Sequence, residues 1–340
     1  GAVKTPDDPL RVALLGAGHW GTVVAGQVLD DDRASLVALA DVSADSRERA
    51  GRALSVPAEA RFEDPHELLD AVDLDAAIVT TPHALHYEHV SAAMDRDLHV
   101  YCEKPFTTDV DDARELVRRA ERRGEVTMVG VQRHHEQPYL AAHERTRDPS
   151  PKLITAEITQ PWIGEYGETW RGNPDLSGGG QLYDTGSHLV DVACWLAAGR
   201  PSSVSAEMVF DDDAERVDVQ ALLAVRFDDG AVANLTVSGD AAAVREHVHV
   251  WADGEATYID GRGWNDRTLR EVDAANTTTT PVVDDGATRG KVEALVDTVV
   301  EGDDPPVTVR HGFDVTAVLE AAYESARDGG RRVDIDGDLG

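Results

Sequence analysis

The chain has 340 residues and a hydrophobic content of 41%, which suits two globular domains with cores of their own and excludes a disordered protein. It carries 64 acidic and 32 basic residues, a formal net charge of −32, and so acidic a chain excludes nucleic acid as a partner. No apolar run approaches the ~20 residues of a membrane span, and residues 1–9 lack the apolar core of a signal peptide, so we expect a cytoplasmic protein.

The acidic residues are spread along nearly the whole chain, and only four lysines accompany its arginines. Self-repulsion of this size destabilises a compact state unless salt screens it, and the Debye length falls to roughly 3 Å at 1 M salt. The composition therefore predicts a halophilic protein that needs molar salt to fold. The two cysteines, Cys102 and Cys194, lack the spacing of a zinc or redox motif, so we expect reduced thiols.

The first predicted strand, residues 11–15, runs straight into Gly16-x-Gly18-x-x-Gly21, and a helical pattern follows. A G-x-G-x-x-G motif is a weak signal alone, but between a strand and a helix it is the fingerprint of a dinucleotide site. Gly16 permits the tight turn, Gly18 lets the backbone approach a pyrophosphate, and Gly21 lets the helix pack closely on the sheet.

The second predicted strand, residues 36–40, ends in Asp41, which lies twenty residues after Gly21. A carboxylate at this spacing accepts hydrogen bonds from the adenosine ribose hydroxyls and repels a 2′-phosphate. Arg47 is the residue that could instead attract that phosphate. We expect Asp41 to outweigh it, so the predicted cofactor is NAD in preference to NADP.

Strands and helices continue to alternate up to Gln132. The predicted helices are residues 46–54, 65–69, 86–95 and 109–122, and the predicted strands are 59–62, 76–80, 98–102 and 126–131. Six strands with intervening helices predict an α/β domain, a doubly wound parallel Rossmann sheet, over residues 1–132. The carboxyl ends of two strands carry polar groups, which we expect on the same edge as the glycine-rich loop: Thr80, Thr81, Pro82, His83, His86 and Lys104.

Lys104 stands at the end of a predicted buried strand in a chain that otherwise avoids lysine. Its ammonium group could donate a hydrogen bond to a reacting oxygen. A surface lysine in a strand-to-helix turn is the alternative that this segment alone leaves open.

Beyond Gln132 the pattern changes, and residues 133–340 predict a second, α+β domain with a large, mostly antiparallel open sheet. Its predicted strands are residues 153–159, 204–209, 217–227, 231–238, 246–251, 256–259 and 268–272, and its predicted helices are 137–147, 184–196, 288–300 and 314–327. We expect loops at residues 160–180 and 276–280. The last two helices are predicted to pack back on the first domain.

Asp184 and His188 are spaced i, i+4 after the run Gly178–Gly180, so at a helix start they share one face. A capping aspartate with a core histidine is one reading of the pair. A metal site including Asp191 is another, but no H-E-x-x-H motif or cysteine cluster supports it, so we expect no metal.

Three segments follow the fingerprint in this order: Glu103-Lys104-Pro105, Trp170-Arg171 and Gly-Gly-Gly180-x-x-x-Asp184-x-x-x-His188. With the fingerprint, they resemble the motifs of the glucose–fructose oxidoreductase, inositol dehydrogenase and MocA-like (Gfo/Idh/MocA) family. The resemblance implies a catalytic lysine, aspartate and histidine at Lys104, Asp184 and His188. It also implies an open sheet that often forms an oligomer interface. The fingerprint, the strand ends and the resemblance together predict cofactor-binding residues at Gly16, Gly18, His19, Trp20, Gly21, Asp41, Thr80, Thr81, Pro82, His83, His86, Glu103, Lys104, Gln132, Trp170 and Arg171.

The resemblance implies an NAD(P)-dependent dehydrogenase that moves a hydride between nicotinamide and a sugar, sugar derivative or polyol. We expect a homodimer or homotetramer without membrane or nucleic-acid partners. Two alternatives stay open at this point, an NAD-dependent glycosidase that oxidises its sugar transiently and a non-catalytic dinucleotide-bound sensor. Residues 161–173 vary freely in such proteins, so the sequence does not name the substrate.

Overall fold

A computed structural model describes residues 8–283 and 288–339. Residues 1–7, which are most of the segment 1–9 that was compared with a signal peptide, lie outside the described part. The chain divides into two compact units. Among the described residues, the first comprises 8–107, 111–131 and 289–310, and the second comprises 108–110, 132–283, 288 and 311–339.

The first unit contains a parallel sheet whose strands alternate with helices along the chain. Its strands are β1 (Leu10–Leu15), β2 (Ala34–Ala40), β3 (Arg61–Phe62), β4 (Ala76–Val79), β5 (His99–Glu103) and β6 (Thr127–Gly130), and the helices between and after them are α1 (His19–Gly26), α2 (Ala44–Ala53), α3 (Pro65–Ala71), α4 (His86–Met94) and α5 (Val110–Ala120). The spatial order is β3-β2-β1-β4-β5-β6, with every pair parallel. This confirms the predicted doubly wound sheet. The strand order reverses between β1 and β4, where such sheets bind ligands at the carboxyl ends of their strands.

Local signals in the sequence set the helix starts in this unit. The Ser43 side chain accepts a hydrogen bond from the backbone of Ser46 and caps α2. Asp64 caps α3 in the same way, with Pro65 at the first helical position. Capping groups of this kind satisfy amides that have no partner inside the helix, and losing one costs about 1 kcal/mol.

The remaining elements begin with the short 3₁₀ turn Arg133–His135. In chain order they are α6 (Gln137–Arg145), β7 (Leu153–Thr159), α7 (Trp162–Tyr166), α8 (Pro174–Ser177), α9 (Ser187–Leu196), β8 (Pro201–Phe210), β9 (Asp218–Phe227), β10 (Val232–Ser238), β11 (Arg245–Trp251), β12 (Glu255–Arg262), β13 (Asp266–Asp273), β14 (Thr278–Thr279), α10 (Lys291–Glu301), α11 (Val309–Arg327) and β15 (Val333–Asp334). Of these, α10 falls in the first unit. There its apolar side chains, including Val292 and Leu295, share a core with Val12 and Leu14 of β1. Burial of each such side chain stabilises the fold by about 1.5–3 kcal/mol.

The second unit is built on a nine-stranded sheet in the order β14-β13-β12-β11-β7-β10-β9-β8-β15. Its pairs are antiparallel except for β10 with β7. This confirms the predicted α+β domain with a large, mostly antiparallel sheet. One face of the sheet packs into a core with residues of α9 and α11.

The other face of this sheet, called here the open face, carries four large apolar side chains. They are Leu153, Val209, Leu222 and Trp251, with 39%, 55%, 51% and 41% of their surface exposed in the single chain. These side chains are separated from the core on the other face because alternate residues of a strand point to opposite faces of the sheet.

The predicted loops 160–180 and 276–280 are corrected by the structure. The first contains the short helices α7 and α8, and the second contains the two-residue strand β14. Asn173 caps α8 and Pro174 opens it, but four residues are too few to produce a helical period in the sequence. In the described part of the chain, no helix is both long and apolar enough to cross a bilayer.

Candidate active site

The glycine-rich loop after β1 is shaped by two glycines that have no room for a side chain. Gly16 has φ +95°, and a Cβ atom there would lie 2.6 Å from the backbone nitrogen of Thr81. A Cβ atom on Gly21 would lie 2.1 Å from the carbonyl oxygen of Gly16. Thr80 closes the contact by donating a 2.6 Å hydrogen bond from its hydroxyl to that carbonyl. These contacts explain why the loop needs glycine at both positions.

Gly18 has the opposite environment. It precedes the first turn of α1, and a Cβ atom built on it meets no described protein atom within 4 Å. The space in front of it is therefore open, at a helix start whose free amides attract phosphate. The loop fits the pyrophosphate of a dinucleotide.

The substitution Gly18→Ala is expected to leave thermal stability nearly unchanged and to weaken NADH binding by about tenfold or more, because the added methyl group occupies the phosphate space. NADH fluorescence titration and thermal unfolding would measure the two effects. Gly26→Ala is the matched control, since a Cβ atom there also meets no described atom within 4 Å but lies at the end of α1. Equal NADH affinity in both variants would contradict the assignment of the loop.

Asp41 is held rigidly at the end of β2. Its Oδ2 atom accepts a 2.8 Å hydrogen bond from the backbone of Ala17, and Oδ1 accepts one of 2.8 Å from Ser43. Each carboxylate oxygen can accept a further bond, so ribose hydroxyls can still bind here. Arg47 donates from Nη1 to the carbonyl oxygens of Asp41, at 2.7 Å, and of Val42.

The segment after β4 places His86 deep in the first unit, where it is 1% exposed. Its Nδ1 lies 2.8 Å from the carbonyl oxygen of Pro105, and its Nε2 lies 2.9 Å from that of Thr81. Desolvation by burial lowers the pKa of His86, and the contacts with the two carbonyl oxygens oppose that shift. The ring contacts the segments that follow β4 and β5, which favours a positioning role, and the cofactor contact of His86 stays a prediction. Pro82 and the buried His83 lie in the same segment.

Glu103 at the end of β5 is the centre of a buried polar cluster. Its Oε1 accepts hydrogen bonds of 2.6 Å from the Tyr101 hydroxyl and 2.6 Å from Lys291 Nζ. Burial opposes ionisation, but the positive charge of Lys291 lowers the pKa of Glu103, so the pair is ionic. The same ammonium lies 4.9 Å from the centre of the Trp20 ring, beside the exposed His19 in the first turn of α1.

Sequence reasoning missed Lys291. The scarcity of lysine that drew attention to Lys104 was the available signal, since Lys291 is another of the four. Lys104 itself is half-buried and directly follows Glu103, and its peptide bond to Pro105 is cis.

In the second unit, Asp184 is fixed by two donors. Trp162 donates from Nε1 to Oδ2 at 2.8 Å, and Arg171 donates from Nε to Oδ1 at 3.2 Å. The Arg171 guanidinium also lies 4.6 Å from the centre of the Trp170 ring, so Trp170 orients the arginine. Both residues were predicted on the cofactor side, and the structure places Arg171 beside Asp184 and Trp170 against Arg171.

Asp184 belongs to a π-helical turn, Leu182–Gly186, directly before α9. Such turns occur frequently at functional sites. Gly186 occupies the N-cap of α9, so the reading of Asp184 as a capping residue is wrong. His188 is half-buried in the first turn of α9, and Gln132 is half-buried before the turn at Arg133.

The glycine run before Asp184 is explained by the protein's own side chains. A Cβ atom on Gly179 would lie 2.2 Å from the Tyr323 hydroxyl, and one on Gly180 would lie 2.1 Å from the carbonyl oxygen of Asp218. The buried Asp218 carboxylate accepts from the backbone of Gly180 at 3.1 Å and of Leu182 at 2.9 Å. Tyr323 donates to the same carboxylate. Sequence reasoning missed this anchor, because Asp218 lies far along the chain in β9.

Two protein-family models match this chain. One, described as an oxidoreductase family with an NAD-binding Rossmann fold, matches residues 10–131, and the GFO/IDH/MocA C-terminal domain matches residues 150–259. The chain belongs to the GFO/IDH/MocA family. The match confirms the family resemblance that the motifs indicated, and it confirms the predicted NAD-binding Rossmann domain. The chain is therefore an oxidoreductase of this family.

Two curated relatives of the GFO/IDH/MocA chain are dehydrogenases. A scyllo-inositol 2-dehydrogenase (NADP(+)) of Bacillus subtilis is 27% identical over 94% of this chain and 95% of its own length. The 1-carboxy-3-chloro-3,4-dihydroxycyclohexa-1,5-diene dehydrogenase of Comamonas testosteroni is 29% identical over 72% of this chain and 62% of its own length.

Among solved structures, the aldose-aldose oxidoreductase of Caulobacter crescentus has the same fold. It superposes with a TM-score of 0.83, is 24% identical, and covers 96% of this chain and 100% of its own. The comparisons support neither the glycosidase nor the sensor alternative.

Proposed function

We propose that this GFO/IDH/MocA chain is an NAD-dependent dehydrogenase that oxidises a hydroxyl group of a sugar, sugar derivative or polyol, or reduces the matching carbonyl. The observation that carries the proposal is the rigidly held Asp184, fixed by Trp162 and Arg171, with His188 one helical turn later. Its relatives, named for inositol and other cyclic diol substrates, support the substrate class.

Bound NAD would supply the hydride acceptor at its nicotinamide ring, and the chain's own residues would handle the proton and the substrate. His188 accepts the hydroxyl proton, which an imidazole can do near neutral pH. Asp184 orients the substrate and the imidazole. Lys104 donates to the reacting oxygen and stabilises the developing alkoxide charge.

The preference for NAD over NADP rests on two residues. Asp41 presents a carboxylate held by Ala17 and Ser43, and a 2′-phosphate beside it would be repelled. Arg47 is the available cation, but its Nη1 already donates to the carbonyl oxygens of Asp41 and Val42.

A panel of polyols and aldoses with NAD and NADP in molar salt, read by nicotinamide absorbance, tests this function. We expect reduction of NAD by at least one member, with kcat/KM for NAD exceeding that for NADP. Cleavage of a chromogenic glycoside without net NADH would contradict the proposal. NADH binding without turnover of any of these substrates would also contradict it.

We further propose that the chain works in a salt-rich cytoplasm, supported by its net charge of −32 and two free cysteines. Dialysis from 2 M KCl into dilute buffer is expected to unfold the chain, because the repulsion between carboxylates is then unscreened. Circular dichroism measures the loss. Molar sucrose is the control, since it favours compact states without screening charge and should restore less structure than KCl. Full structure and activity in dilute buffer would contradict salt dependence.

A homodimer or homotetramer formed through the nine-stranded sheet is our proposal for the assembly. The open face, with its exposed apolar Leu153, Val209, Leu222 and Trp251, supports it, because covering these side chains in an interface would remove their apolar surface from water. Light scattering in molar salt should give a multiple of the 36.6 kDa chain mass. Leu222→Asp should lower that mass, whereas Val42→Asp, an exposed apolar position in the first unit, should not.

A further inference from the structure

Three side chains that the proposed reaction does not use meet inside the second unit. They are His134 in the 3₁₀ turn before α6, Asp191 in α9 and His311 in the first turns of α11. Nε2 of His134 lies 3.0 Å and Nε2 of His311 lies 2.5 Å from the same oxygen, Oδ1 of Asp191. One potential ligand atom from each residue lies within 4.8 Å of the other two.

The trio is buried and contains one carboxyl group. Asp191 is 2% exposed, and the side chains of His134 and His311 are 2% and 16% exposed. Burial opposes ionisation of Asp191, but His134 and then His311 hold the pKa of its carboxyl below the usual range. Among the described residues, Oδ2 of Asp191 has no hydrogen-bond partner. A buried carboxylate that lies between two imidazoles and keeps one oxygen without a hydrogen-bond partner has room for a further positive ligand, and a cation would supply it.

The surrounding side chains hold the imidazole of His134 in place. The ring of Trp195 stacks on it with centroids 3.8 Å apart, and His143 stacks on Trp195 at 4.3 Å. The His311 ring stands at 62° to that of His134. Both Nε2 atoms are thereby directed at Asp191, and such fixed orientation is what a metal site requires of its ligands.

We propose that His134, Asp191 and His311 bind a divalent transition-metal cation, with zinc the simplest example. Two imidazole nitrogens and one carboxylate oxygen are the donors that these ions prefer. Three protein ligands leave a fourth position for water in a tetrahedral site. The ion has no part in the proposed hydride transfer, so dehydrogenase activity does not decide this proposal.

Zinc binding to the full chain in a molar potassium salt tests the site. A second trio in the first unit, His66, Glu88 and His89, could also attract an ion, so every protein in the test carries His66→Gln. After treatment with a chelator, isothermal titration with Zn²⁺ and mass-spectrometric metal analysis should give one zinc per chain. Raised thermal stability with Zn²⁺ provides a further readout.

Two ligand variants and one control then locate the ion. His311→Gln and His134→Gln should each weaken zinc affinity about 100-fold or more, since even a lost outer-shell partner costs about 10–100-fold. His247→Gln should bind zinc like its parent, because His247 lies in β11 with its ring against His249 and belongs to neither trio. If one ligand variant fails to fold, as judged by circular dichroism, the other decides. Absence of stoichiometric zinc in the parent, or unchanged affinity in a folded ligand variant, would overturn the proposal.

Discussion

Replacing Lys104 with methionine is expected to lower kcat by about 100-fold or more while NAD affinity stays within about twofold. Methionine keeps the apolar stem and removes the charge that we assign to the developing alkoxide. Because the effect belongs to the transition state, kcat should fall much more than KM rises. His188→Ala is expected to produce a loss of similar size, since the hydroxyl proton then lacks its acceptor.

Steady-state kinetics with the best substrate of the panel and NADH titration would separate catalysis from cofactor binding. Lys152→Met is the matched control, because that lysine has 64% of its side chain exposed and pairs with Asp253 at the surface. Turnover near that of the parent in Lys104→Met would refute the catalytic assignment. A parallel loss of NADH affinity would instead place Lys104 in the cofactor site alone.

Replacing Glu246 with glutamine is expected to lower the free energy of unfolding by about 3–5 kcal/mol, the cost of breaking a buried ion pair. Glu246 is 2% exposed, and its carboxylate accepts hydrogen bonds from Arg133 at 3.1 and 2.5 Å, from Arg267 at 3.1 Å and from Tyr139. The neutral amide removes the carboxylate that both buried guanidinium groups share, and Arg267 keeps only its ion pair with Glu136. Urea denaturation in molar salt measures the loss, since urea leaves the ionic strength constant.

Glu255→Gln, at an exposed position of the same sheet, is the control and should stay within about 0.5 kcal/mol of the parent. Burial alone would raise the pKa of Glu246, but Arg133 and Arg267 lower it from 4.5 to about 2. A lowered pKa stabilises the fold fully above the unfolded value and loses that contribution as pH falls toward 2. The difference between parent and Glu246→Gln should therefore shrink below about pH 4.5. A stability gap of less than about 1 kcal/mol at pH 7 would contradict this account.

The parts of the fold that the sequence could predict are those set by near neighbours along the chain. The glycine spacing at Gly16, Gly18 and Gly21 fixes a strand, a turn and a helix within a dozen residues, and all three elements are present. The strands of the second unit were likewise predicted, because strand-forming segments are a local property of the sequence, and the nine-stranded sheet contains them.

The groups that sequence reasoning missed are those whose partners lie far along the chain. Asp218 anchors the segment around Asp184 from β9, and Lys291 neutralises Glu103 from almost two hundred residues away. Nothing local distinguishes Asp218 from the many other carboxylates in so acidic a protein, and the scarcity of lysine marks Lys291 without indicating its partner. The π-helical turn at Leu182–Gly186 was missed for a related reason, since one extra residue in a turn leaves no period to detect.

The return of α10 to the first unit determines when that unit can be completed during synthesis. Residues 289–310 belong to it although more than 150 residues of the second unit precede them. A nascent chain ending before α10 lacks both the apolar residues that share a core with β1 and the ammonium group that compensates the buried Glu103. The dinucleotide-binding half is therefore not a detachable amino-terminal module. It can be completed on the ribosome only after most of the second unit has been translated.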